Sequence, residues 1–105
     1  MASSAEIKSG MRAVVSERSS ALHQQSFEGL KTLPEVETEE IEILGTPVRL
    51  ITYRENQNSN HLFIVVQAIR ETLLGMSAQI CVEGFVVSSS GEKAPATDET
   101  LWDYQ

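Results

Sequence analysis

The sequence has a single cysteine, Cys81, so no intrachain disulfide can form and any bridge would have to join two molecules. It also lacks a long hydrophobic run. The longest uninterrupted apolar stretch, Leu62 to Val66, is far short of the roughly 20 residues a bilayer-spanning helix requires, and Met1 to Met11 holds no hydrophobic signal core. A cytoplasmic protein with no membrane partner is the expectation. Two histidines, His23 and His61, with Cys81 make none of the spacings of a metal site, and Gly75, Gly84 and Gly91 make no phosphate-binding loop. No metal and no cofactor are expected.

Positive charge is scarce, and its scarcity is local. Up to Val36, Lys8, Arg12, Arg18 and Lys31 balance Glu6, Glu17, Glu28 and Glu35. From Glu37 onward, nine Glu and two Asp oppose only Arg49, Arg54, Arg70 and Lys93, so this part holds the whole net charge of −7. A surface of that sign repels phosphate backbones, whose binding depends on Lys and Arg displacing counterions, so nucleic acid is excluded as a partner class. The same field attracts a basic protein surface.

What is present is the material of one small folded domain. The 105 residues are 41% apolar and 22% charged, inside the globular range and outside that of disordered or collagen-like chains. Ser3 followed by Glu6 matches a capping box, and Ile7, Met11, Val14, Val15 and Leu22 fall on one stripe of a helix, interrupted by Arg18. His23, Phe27 and Leu30 repeat at helical spacing on nearly the opposite side. Either the helix bends near residues 19–25, or a straight helix offers its second stripe to another molecule. Pro34 ends it in both cases.

After Glu35 the hydrophobic period changes to two. Glu40 to Ile43 and Val48 to Arg54 read as a hairpin turned at Gly45-Thr46-Pro47, and Asn56 to Asn60 reads as a polar loop. His61 to Ile69 is the most apolar stretch and the expected central strand. Leu73-Leu74-Gly75 supplies a turn. A fourth strand follows over Ala78 to Val87, with Gly84 read as a bulge that switches its faces. The class is α+β: an N-terminal amphipathic helix packed on a four-stranded antiparallel meander. One domain spans 1–105, with a helical segment over 1–34, the sheet over 39–87, and a loop ending in a C-terminal clasp over 88–105. The clasp is Leu101, Trp102 and Tyr104, with Trp102 expected to carry most of the anchoring.

Three groups of side chains are candidates for function. His61, Tyr53, Arg54 and Glu55 fall at one end of a hairpin, where a His beside a carboxylate could act as a general base at the mouth of a pocket between helix and sheet. Against catalysis stands the ordinary role of each: a polar strand cap and a solvated ion pair. Glu37, Glu39, Glu40 and Glu42 form the densest charge cluster, able either to keep a sheet border from aggregating or to meet a basic protein. Phe27, Leu30, Trp102 and Tyr104, with the two-faced third strand, suggest a homodimer interface. Together these lead to a non-enzymatic, homodimeric protein-binding module of adaptor or inhibitor type that presents an acidic face. The alternative is a small-molecule or enzymatic pocket with the His61 group at its mouth.

Overall fold

The computed structural model describes residues 3–72 and 77–105. Its first element, α1 (Ser4–His23), starts where the capping box places it. The Glu6 amide donates to Ser3 Oγ at 3.1 Å and the Ser3 amide to Glu6 Oε1 at 3.4 Å. Ile7, Met11, Val15 and Leu22 are buried on the predicted stripe. Arg18 shares that side without being buried, because its guanidinium reaches past the apolar layer to Glu39 Oε2 at 2.7 Å.

The helix bends, as one of the two readings required. Gln24, Gln25 and Ser26 break it, and Ser26 restarts the chain as α2 (Phe27–Lys31) by accepting from the Gly29 amide at 3.1 Å. The break turns the second stripe back toward the first. Phe27 and Leu30 therefore join Met11 and Val15 in one core, Leu30 with no exposure at all. This corrects the assignment of Phe27 and Leu30 to a dimer interface: their apolar surface is already spent inside their own chain.

Five antiparallel strands follow in the order β1 (Val36–Ile43), β2 (Thr46–Asn58), β3 (His61–Thr72), β4 (Ser77–Ser88) and β5 (Lys93–Pro95). The meander is as expected, with one short strand more. Ile43 faces Thr46, so the first turn is the two residues Leu44 and Gly45, both with positive φ. The segment from Asn56 to Asn60 is not the loop its composition suggests. β2 continues to Asn58 through a bulge, and only Ser59 and Asn60 turn, with Asn58 Oδ1 accepting from the Asn60 amide at 2.8 Å. The turn expected at Leu73-Leu74-Gly75 lies outside the described residues.

Two layers pack on the sheet. One face carries Val48, Leu50, Leu62, Ile64, Val66, Cys81, Phe85 and Val87 against the two helices. The other carries Phe63 and Val65, with Tyr53, Val82 and Val86, and is covered by Ala96, Leu101 and Tyr104 of the chain's own C-terminal segment. That segment forms β5, a short helix α3 (Asp98–Leu101) and a final 3-10 turn (Trp102–Tyr104). The second layer was expected to come from a partner chain; the tail supplies it over this half of the face.

Gly84 has a different role from the bulge assigned to it. β3 and β4 stay in register without interruption from His61↔Ser88 to Thr72↔Ser77, so the apolar residues of both parities simply face the two layers. A Cβ at position 84 would stand 2.8 Å from the Ile64 carbonyl oxygen, 3.0 Å from Leu101 Cδ2 and 3.2 Å from Phe63 Cε1. Glycine is what lets the tail lie close on the sheet.

Candidate functional site

The hairpin group does not converge. Cross-strand register puts Tyr53 and Glu55 on the tail side of β2 and Arg54 on the helix side. There Arg54 ties the approach to β1 onto the sheet: its Nε donates to the Leu33 carbonyl at 2.7 Å and its backbone amide to the Glu35 carbonyl at 2.9 Å. Its guanidinium also reaches Asn56 Oδ1 at 2.7 Å. His61 Nδ1 lies 3.0 Å from Asn58 Oδ1, an exposed turn contact. Among the described residues no hydrogen bond joins His61 to Tyr53, Arg54 or Glu55.

Tyr53 and Glu55 instead belong to the tail's polar seam, which sequence reasoning missed. Gln67, buried in the most apolar strand, accepts from Tyr53 Oη at 2.9 Å through Oε1 and donates through Nε2 to the Tyr104 backbone carbonyl. Tyr104 Oη donates to Glu55 Oε2 at 3.0 Å, and its ring lies 4.9 Å from that of Tyr53 and 6.0 Å from that of Phe63. Partial burial, and then the Glu55 carboxylate that accepts its proton, push the Tyr104 hydroxyl up to about 12. The Gln67 amide thus bridges β2 and the terminus, its oxygen bonded to Tyr53 and its nitrogen to Tyr104. A glutamine at the centre of an otherwise apolar strand was the one signal available, since a buried amide requires partners. Trp102, expected to carry the anchor, is 74% exposed; Leu101, at 7%, does so. Leu101 and Tyr104 seat on their own sheet, and Trp102 stands in solvent.

The four glutamates occupy a border more than a face. β1 is hydrogen-bonded on one side only, to β2. Glu37 and Glu39 share the side of Ile41 and Ile43 toward the helices, whereas Glu40 and Glu42 share the opposite side. All four are exposed, and of them Glu39 alone has an ion pair among the described residues, with Arg18.

A concavity lies at the other edge of the sheet. A groove of about 660 Å³ runs between α1 and β4, with Lys8, Arg12 and Ser16 on the helical wall, Ile80, Val82 and Glu83 on the strand, and Gln105 of the tail also lining it. Cys81, buried, closes its floor with Sγ 4.0 Å from the Lys8 carbonyl. β5 covers the neighbouring edge of β4 at Phe85, Val86 and Val87, so the groove follows strand edge that no other strand occupies among the described residues. Among the described residues no three His, Cys, Asp or Glu side chains gather as a metal set would, and no helix is long and apolar enough to cross a membrane. No protein-family model, curated protein or solved structure matches the chain, so the shape and chemistry of its own two sheet borders carry the functional argument.

Proposed function

We propose that the protein is a non-enzymatic protein-binding module, homodimeric, that presents an acidic border to a basic protein partner. The observation that carries this reading is the contrast between the two borders of one sheet. β1, eight residues long, sets Glu37, Glu39, Glu40 and Glu42 in solvent, whereas β4 leaves beside a groove a length of edge with Glu83 as its one charged residue. A line of carboxylates along an extended strand speeds encounter with cationic surfaces and sets which partner is accepted, while contributing little to holding the fold together. Catalysis loses its candidate group, because Arg54 and His61 are occupied by backbone and turn contacts while Tyr53 and Glu55 serve the tail.

The test compares the natural chain with Glu37→Gln, Glu39→Gln, Glu40→Gln and Glu42→Gln combined, on an array of synthetic peptides graded in net charge. Selective retention of basic peptides by the natural chain, weakened by salt and lost in the variant, supports the reading. Equal retention by both proteins refutes it.

A further inference from the structure

We infer that the dimer forms by joining the free edge of β4 to the same edge of a second copy, in antiparallel register about a two-fold axis at Ile80. This rests on the homodimeric reading above and names the surface responsible.

The directions of the β4 backbone are fixed by its neighbours. The Gly84 carbonyl accepts from the Ala96 amide and the Ser88 amide donates to the Glu92 carbonyl, both at 2.9 Å, so even-numbered residues point away from β3. The Ser89 amide donates instead to the Asn60 carbonyl, on the β3 side. With no register shift in β4, the same alternation aims the N–H and C=O of Ala78, Ile80 and Val82 into the groove. Among the described residues no backbone group answers them. The free length runs from Ser77 to Glu83 and stops where Ala96 and β5 take over the edge.

That length is self-complementary. With Ile80 on the axis, Ile80 faces Ile80 of the second copy and Ala78 faces Val82, so every outward-directed residue meets another. An axis perpendicular to the sheet keeps both α1 helices on one side and both tails on the other. Across the join, the tail side of the sheet becomes continuous at Ala78, Ile80 and Val82. Here Ile69 and Ile80, opposite each other on β3 and β4, remain half-buried and lie outside the cluster that the tail covers.

Charge decides between the edges and favours a second copy as occupant. Pairing β1 with itself would oppose glutamates, as edge strands protected from association do. The β4 length carries only Glu83, set in the same groove as Lys8 and Arg12, and has neither proline nor bulge. Two copies therefore meet there without the rows of opposed carboxylates that β1 would bring together.

Sedimentation across a range of protein concentration, with amide hydrogen exchange at each, tests the join. A dimer is expected whose added protection, on raising concentration, falls at Ala78, Ile80 and Val82. Ile80→Pro removes an outward N–H that the monomer does not use, and Ile80→Lys places a charge beside the axis; both should be monomeric with an unchanged circular dichroism spectrum. If the proline variant fails to fold, the lysine variant decides. A dimer that survives in the folded variant, or shows no added protection at these amides, overturns the β4 join but leaves the homodimer reading standing. A natural chain that is monomeric throughout, including one whose β4 amides are protected by an added peptide instead, overturns both.

Discussion

The assignment of the tail anchor to Leu101, and not to the much larger Trp102 beside it, is open to a sharp test. Leu101 is 7% exposed and packs with Phe63 and Val65, whereas Trp102 is 74% exposed. Truncating a buried leucine to alanine costs about 2–5 kcal/mol, growing with the cavity that remains. Leu101 lies in a thin layer on the sheet's second face, where the tail can settle and water can enter, so the low end applies, about 2 kcal/mol. In a domain of this size that lowers Tm by on the order of 10 °C. Trp102→Ala removes an exposed ring and should change stability by no more than about 0.5 kcal/mol. Urea unfolding followed by far-ultraviolet circular dichroism compares the two variants on one signal, independent of the lost indole. The fluorescence of Trp102 in the natural chain should match that of a solvated indole and be quenched readily by iodide. A Trp102→Ala variant less stable than Leu101→Ala, or a shielded indole, would refute the placement of the anchor.

Two further outcomes follow from the same layer. Gly84→Ala should destabilise by roughly 1–3 kcal/mol in thermal unfolding, because the new Cβ meets a backbone oxygen at 2.8 Å that cannot step aside. Combining it with Leu101→Ala should cost less than the two separate losses together, since one of the three contacts is then gone; a neutral or stabilising Gly84→Ala would refute the close approach. The Tyr104 hydroxyl, raised to about 12 by burial and by Glu55, should favour the folded state fully below the ordinary tyrosine value near 10. Above it the unfolded chain releases that proton first, so stability should fall as pH rises from about 10 to 12. Glu55→Gln should move the tyrosinate absorbance transition to lower pH, and an unchanged transition would count against the Tyr104 to Glu55 contact.

The parts of the fold that were legible in the sequence are those set by neighbours along the chain. A capping box, a stripe of apolar residues and a period-two alternation each encode a local backbone state and the face it buries, so α1 and the meander could be read directly. The bend was legible as an alternative, and settling it required knowing that Phe27 and Leu30 return to the core of Met11. Asn56 to Asn58 looks like a loop because its residues are polar, yet the β3 backbone beside it offers hydrogen bonds that extend the strand regardless of side chain. Gly84 could not be read, because the atoms that forbid a Cβ belong partly to Leu101, and nothing in the sequence announces which strand the tail will cross. The same distance hid the seam of Tyr53, Gln67 and Tyr104, whose members lie up to 51 positions apart in the chain.

The strand order also settles how the two proposed surfaces relate. β1 and β4 are separated by β2 and β3, so a partner held along the glutamates of β1 and a second copy joined at β4 do not compete for any residue. The tail sharpens that division. By seating Leu101 and Tyr104 over Phe63, Val65 and Tyr53, it removes from solvent the apolar surface in the middle of the sheet, which would otherwise favour indiscriminate association. Among the described residues, Ala78, Ile80 and Val82, backed by Ile69, stay apolar at the β4 end, in a place where backbone hydrogen bonds add direction to burial. One lysine or proline there would have blunted this edge as glutamates blunt the other. Joined at β4, two copies would carry their acidic borders to opposite ends of one continuous sheet, which suits a partner with two basic segments far enough apart to reach both.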